Sequence, residues 1–293
     1  MIKNKQGKCN ASALQRGLSH MQQFINKEKY TIYDLLRIME ILRSEDGCPW
    51  DKEQDHDSIR SNLIEEVYEL IDAIDKDDSD SMREELGDVL LQVVFHSQIA
   101  AEEDRFNFDD VSNEICKKLI IRHPHIFGDI KVDNTDEVLR NWDSIKMQTK
   151  NQHSYSETLK DVPRSFTALM RSQKVGSRAG KAGYRYENVD GAMRDLKSEL
   201  KELEQAINAM TAGDTQDCEE ELGDLLFSCV NVAREIGIDA ELALNKSCDK
   251  FVARFCKAEE IANSHGSDLK DLDADELDKL WKKAKKSYKQ CGM

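Results

Sequence analysis

Proline is scarce in this 293-residue chain, with three in all, at Pro49, Pro124 and Pro163. Inside a helix proline removes a hydrogen bond and clashes with the preceding turn, so this scarcity points to a helical protein. Long apolar runs are missing too. None approaches the roughly 18 residues of a membrane span. Met1-Ile2-Lys3-Asn4-Lys5 leads into no apolar stretch, so no signal peptide is read. There are eight cysteines but no C-x-x-C, which argues against structural zinc. Without an export signal they are expected to be free thiols of a cytoplasmic protein. Cys229, Cys248 and Cys256 lie on apolar helical stretches and are expected to be small buried hydrophobes. Positive charge is in deficit: 42 Lys and Arg stand against 57 Asp and Glu, a formal charge of −15. That balance argues against binding duplex nucleic acid. It leaves anionic small ligands open, because metal ions turn an acidic pocket into a phosphate site.

Residues 1–30 are polar and weakly patterned and read as an extension. From Thr31 the pattern turns helical, with Leu35, Ile38, Met39 and Leu42 at i, i+3, i+4, i+7 spacing. Gly47-Cys48-Pro49-Trp50 breaks that helix. Further helices are expected over about Ser58–Asp75, Ser81–Glu102, Asp109–Arg122 and Asp136–Lys150. The polar run from Lys150 to Ser156 reads as a linker, which sets two halves at 31–149 and 150–293. Features then recur in order. Glu221-Leu222-Gly223-Asp224 repeats Glu85-Leu86-Gly87-Asp88, Lys250 and Arg254 repeat Lys118 and Arg122, Trp281 repeats Trp142, and Gly183-Tyr184-Arg185-Tyr186 stands in the place of Gly47-Cys48-Pro49-Trp50. All four offsets fall between 132 and 139 residues. Four recurrences in register mean an internal duplication. No strand-like alternation is long enough to compete, so the fold class is all-α, with duplicated helical-bundle domains.

The acids carry the chemistry. On a wheel with Asp88 at 0°, Glu85 falls at about 60° and Gln92 at about 40°. Leu86, Val89, Leu90, Leu91, Val93 and Val94 fill most of the rest of the circumference. A helix apolar nearly all round is expected to be buried, and buried carboxylates must be paired or bind a cation. Glu221, Asp224, Ser228 and Asn231 form the same kind of stripe in the second half. One helix earlier stand Glu66 and Glu69, and Glu199 and Glu202, each pair at i, i+3 and so on one side of its helix. Neighbouring antiparallel helices can bring four such carboxylates together, a hard-oxygen site for Mg²⁺ or Mn²⁺. For the earlier helix alone, a solvated acidic face would show the same spacing.

Glu65-Glu66-x-x-Glu69 followed by Glu85-x-x-Asp88 resembles the EExxE…ExxD signature of the MazG family of all-α nucleoside triphosphate pyrophosphatases. Gly47-Cys48-Pro49-Trp50-Asp51-Lys52-Glu53-Gln54 and the run from Arg122 to Asp129 also resemble that family's two-domain bacterial members, over roughly Thr31 to Lys286. The resemblance implies Mg²⁺-dependent hydrolysis of nucleoside triphosphates to monophosphate and pyrophosphate, in a homodimer. The sequence departs from the signature at Ser198, where the second motif would have its first Glu. The metal ligands are then expected to be Glu66, Glu69, Glu85 and Asp88 in one half and Glu199, Glu202, Glu221 and Asp224 in the other, with Glu202 or Glu69 orienting the attacking water. Lys250 with Arg254, and Lys118 with Arg122, are candidates to clamp phosphates. Trp50, Tyr184 and Tyr186 are candidates to stack on a base, against the plainer reading of core packing.

Gly176-Ser177-Arg178-Ala179-Gly180-Lys181 has one residue too few for a P-loop and follows no strand. His123-Pro124-His125 reads as a helix end, with capping or packing as its role. A di-iron bundle wants two Glu-x-x-His motifs, and only Glu53–His56 occurs. A non-catalytic nucleotide-binding regulator on the same scaffold is the competing function. The segment from Arg171 to Tyr186 carries Arg171, Lys174, Arg178, Lys181 and Arg185 and no acid. Local positive charge favours a triphosphate, so the second half is expected to do most of the catalysis.

Overall fold

The computed structural model describes residues 24–25, 27–131, 134–210 and 214–290. Most of the expected N-terminal extension, residues 1–23, lies outside them. Every regular element among the described residues is helical. The chain divides into two compact units at Trp142 and Asp143.

The first unit holds α1 (Ile32–Arg43), the short α2 (Pro49–Glu53), α3 (Arg60–Asp75), α4 (Ser79–Glu102), α5 (Phe108–Arg122) and the short α6 (Pro124–Phe127). Helix α7 (Thr135–Thr149) runs across the division. The second unit holds α8 (Tyr155–Lys160), α9 (Ala168–Lys181), α10 (Val189–Ala209), α11 (Gln216–Glu235), α12 (Ala240–Ser264) and α13 (Ala274–Gln290). Two of the three prolines open helices, Pro49 in α2 and Pro124 in α6, where the missing N–H costs nothing.

In the first unit α3 and α4 form an antiparallel pair. Their turn passes through Asp77, at φ 54°, and ends on Asp78, whose carboxylate accepts from the N–H groups of Asp80 and Ser81. Helix α1 lies on the C-terminal half of α4, and Met39, Ile59, Val94, Phe95 and Ile99 make the core between them. Asp34 anchors the start of α1 by accepting from Thr31 N at 2.7 Å. In the second unit α10 and α11 form the matching pair and α9 lies on α11. Glycine allows that approach: a Cβ on Gly176 would stand 2.9 Å from Asn231 Oδ1, and one on Gly180 2.8 Å from Arg234 Nη1. The stretch that superficially resembled a P-loop is therefore helix interior, and its glycines serve packing. Helices α12 and α13 enclose a separate cluster of Ala258, Ala262, Leu280 and Ala284.

Two expectations need correction. The carboxylate-bearing half of α4 is not buried: Leu86 is 52% and Leu90 39% exposed, and burial starts only at Gln92. In α11, Leu222 and Leu226 are likewise exposed. Among the described residues the first unit's core packs on the far half of α4, and the apolar sides of these half-helices stay uncovered. Cys229, Cys248 and Cys256 are exposed rather than buried, on helix faces that no described residue covers. His123 does cap α5, with Nδ1 2.7 Å from Leu119 O, and its ring tilts against Trp142. His56 sits in a turn beyond α2 with Nδ1 2.8 Å from His96 Nδ1, so it forms no helical pair with Glu53.

Met39 is 2% exposed in the first unit's core. Met39→Ala removes that packing and is expected to cost about 2–5 kcal/mol, read as a lower urea midpoint. A loss below about 1 kcal/mol would mean that the site collapses freely and the core is misassigned.

Candidate metal and nucleotide site

The two antiparallel pairs bring the expected acids together, in unequal sets. In the first unit Glu66 of α3 joins Glu85 and Asp88 of α4; in the second, Glu199 and Glu202 of α10 join Glu221 of α11. Within each trio, one ligand oxygen per residue lies within 4.8 Å of the others. Two oxygens on opposite sides of one Mg²⁺ stand about 4.2 Å apart, from a Mg–O distance of about 2.1 Å. An all-carboxylate trio of nearly that size suits a hard divalent cation. Glu69 and Asp224 lie outside the trios but within electrostatic reach, Glu69 acting on Glu85 and Asp224 on Glu199 and Glu221.

The acids disturb one another. Glu66, Glu85, Glu199 and Glu221 all have pKa values raised above 4.5, first by desolvation and then by neighbouring carboxylates. Glu85 Oε2 is buried with no hydrogen-bond partner, as is Gln92 Oε1 one turn beyond Asp88. A buried oxygen without a donor is where a cation gains most. Ser198, the departure from the signature, donates to Glu202 Oε1 at 3.0 Å and so fixes a carboxylate of the trio.

Beside the second trio lies an open pocket of ≈ 680 Å³, between α8, α9, α10, α11 and the turn after α9. This is the size of a small-molecule site. Asp195, one turn before Glu199, and Phe227 and Asn231, beyond Asp224 on α11, line it together with Tyr186 and Arg234. Tyr186 Oη donates to Asp195 Oδ2 at 2.5 Å. Burial and that hydrogen bond push the phenol up to about 12, so Tyr186 stays neutral. Arg234 donates to Gly176 O at 3.0 Å, and its Nε is buried without a partner.

The remaining candidates divide. Tyr184, 85% exposed, and Arg185 stand at the pocket rim, and Tyr186 in its wall. Trp50 is 56% exposed in the first unit, so core packing explains neither Trp50 nor Tyr184. Lys174 and Lys181 are exposed on α9. Arg178 is otherwise engaged: it donates to Thr158 O and lies 3.8 Å from Asp161, which ties α9 to α8. Lys250 and Arg254 are half-buried on α12, with Arg254 packed 5.2 Å over the Tyr288 ring. Neither makes an ion pair with the trio among the described residues. Lys118 is exposed on α5, and Arg122, like Arg254, has a buried Nε without a partner. Asp195 and Arg234 were not foreseen. Asp195 had a usable signal, since i, i+4 spacing sets it on the Glu199 face; Arg234 had none, because its role depends on the approach of α9.

Carboxyls whose folded pKa is raised make a contribution to stability that is fully present below the unfolded value, near 4.5, and lost as pH rises through the folded value. In chelator at pH 7, Glu221→Gln is therefore expected to melt above the native sequence, with the gap closing below pH 4.5. Added Mg²⁺ should reverse the order, the variant binding it about tenfold or more weakly. A variant that melts lower in chelator and gains as much from Mg²⁺ would refute the ligand assignment.

A MazG nucleotide pyrophosphohydrolase domain profile matches residues 54–127 and again 188–257. Each match spans one acidic helix pair. The nucleoside triphosphate pyrophosphohydrolase of Escherichia coli strain K12 is 42% identical over 257 residues, covering 86% of this chain and 96% of that protein. The nucleoside triphosphate pyrophosphohydrolase/pyrophosphatase MazG of Thermotoga maritima is 43% identical over 252 residues, covering 86% and 94%. With both acidic helix pairs matched and near full-length similarity to these proteins, the chain belongs to the MazG nucleotide pyrophosphohydrolase family.

Proposed function

We propose that this protein hydrolyses nucleoside triphosphates to nucleoside monophosphate and pyrophosphate with Mg²⁺, mainly at the site on α10 and α11. The observation that carries this reading is the trio Glu199, Glu202 and Glu221 on the same helix pair as the ≈ 680 Å³ pocket. The first offers hard oxygen donors that a divalent cation would accept; the second has room for a nucleoside. Mg²⁺ bound there, or Mn²⁺ in its place, supplies charge neutralisation on the triphosphate and a water of lowered pKa.

The chain's own residues do the rest. Asp195, Tyr186 and Asn231 offer polar contacts to the sugar and base, and Tyr184 offers a ring face at the rim. Arg185 and the exposed Lys174 supply positive charge near the phosphates. Glu202, held by Ser198, is the carboxylate we assign to orient the attacking water or take its proton. Cleavage between the α- and β-phosphates then releases pyrophosphate, with no covalent enzyme intermediate. No described helix is long and apolar enough to cross a membrane. Free thiols are consistent with work on a cytoplasmic nucleotide pool. A homodimer is the assembly we propose, since Ile64, Val67, Leu86, Leu90, Leu222 and Leu226 leave contiguous helix faces uncovered.

Phosphorus NMR of ATP incubated with protein and Mg²⁺ is expected to show AMP and pyrophosphate first. ADP and orthophosphate as first products would sink the reading, and binding without turnover would make the protein a regulator. Glu221→Gln should lower kcat/KM by about 10²-fold or more, on the scale of losing one electrostatic contact in a water-excluded site. Glu85→Gln should change it little; the reverse order would assign catalysis to the first unit. Sedimentation at micromolar concentration is expected to give a dimer, and Leu86→Asp with Leu222→Asp to weaken it. A monomeric native chain would exclude that assembly.

A further inference from the structure

The two units carry the same acidic motif, yet their surroundings differ at two positions that decide whether a nucleoside can enter. The duplication sets the register: Glu85 matches Glu221 and Gly47 matches Gly183, both at an offset of 136 residues. At the glycines the two turns share one hydrogen bond, Gly47 N to Ser44 O at 2.9 Å and Gly183 N to Gly180 O at 3.1 Å, while the next differs by one residue, Cys48 N donating to Leu42 O and Tyr184 N to Ala179 O. In that register Ala179 and Asn231, two lining residues of the second unit's pocket, correspond to Arg43 and Phe95.

Those larger side chains are themselves packed rather than lining an open pocket. The Arg43 side chain is 6% exposed. Its guanidinium carbon lies 5.3 Å over the Phe95 ring centre. Nη2 donates to Glu102 Oε2 at 2.7 Å, and Nη1 donates to the carbonyls of Asp51 and, at 3.0 Å, Gln54. Phe95 is 4% exposed in the core with Met39, Val94 and Ile99. A guanidinium stacked on a ring, paired with a carboxylate and bonded to two carbonyls is locked from several sides. In the second unit a methyl group and a short amide at these positions leave open space, and Arg234 reaches instead to the Gly176 carbonyl.

We infer that Arg43 and Phe95 form a plug that excludes nucleosides from the first unit, so that the chain binds one nucleoside triphosphate although it has two acidic clusters. The plug sets specificity and takes no part in the reaction. The inference rests on the proposed function, which assigns the second unit's pocket to the nucleoside.

Equilibrium dialysis of the full chain with Mg²⁺ and α,β-methylene-ATP, which resists cleavage at the α–β bridge, counts the sites without requiring turnover. One analogue per chain is expected for the native sequence. Arg43→Ala with Phe95→Asn, checked for native helix content, should raise this to two while ATP turnover at the second site is unchanged. The inverse exchange, Ala179→Arg with Asn231→Phe, should weaken the single site at least tenfold, and it decides the matter if the first variant fails to fold. Two analogues bound by the native chain, one by the folded Arg43/Phe95 variant, or undiminished binding by the folded inverse variant would each overturn the plug. No binding by the native chain would instead sink the proposed function and the plug with it, whereas absent turnover with one analogue bound would sink only the proposed chemistry.

Discussion

Glu199, Glu202 and Glu221 hold carboxylate oxygens within 4.8 Å of one another on two antiparallel helices, and Glu66, Glu85 and Asp88 do the same in the other unit. At neutral pH such groups repel, and partial burial weakens the water that would screen them. Desolvation first, and then the neighbouring carboxylates, raise the pKa values of Glu199, Glu221, Glu66 and Glu85. The repulsion must be offset by packing elsewhere, and a cation that relieves it gains that free energy on binding. The fold thus holds a strained acidic stripe in readiness for a positive partner.

Much of the remaining structure holds the stripe in place. The turn at Asp77 and the cap at Asp78 set α4 against α3 with the carboxylates in register. The first core, around Met39 and Phe95, grips only the far half of α4, so the acidic half projects beyond it. In the second unit Gly176 and Gly180 let α9 close on α11, where Arg234 and Asn231 meet it. That approach turns a bare acidic helix pair into a pair with a pocket at one end. Arg178, recruited to Thr158 and Asp161, fixes α8 as the pocket's outer wall. A residue expected to meet substrate thereby shapes the pocket wall instead.

The helices were legible in the sequence because apolar spacing and breakers are local. The duplication was legible because four landmarks recur in order, and the convergence of the acids followed from i, i+3 spacing on consecutive helices. Burial was misjudged at Leu86, Leu90, Leu222 and Leu226 for a physical reason. Periodicity records that a face is apolar but not whether the covering partner is the same chain or another. The pocket was illegible because it depends on a helix approach permitted by two glycines, whose reason lies 50 to 60 residues further along the chain at Asn231 and Arg234.

Duplication also explains how one motif came to have two environments. A repeated acidic helix pair keeps its acids as long as each copy still folds around them. The flanking helix is freer to change, since its residues touch the neighbouring space rather than the acids. In α1 that freedom was used for stability: Arg43 joins the helix to Glu102 at the end of α4 and covers Phe95, closing the core. In α9 small residues leave the space open, and Arg234 on α11 supplies the tie to the Gly176 carbonyl from the other side. Each unit thus has one arginine joining its flanking helix to its acidic helix, but from opposite partners. The direction of that tie decides whether side chains pack the volume between them or leave it open beside the acidic trio.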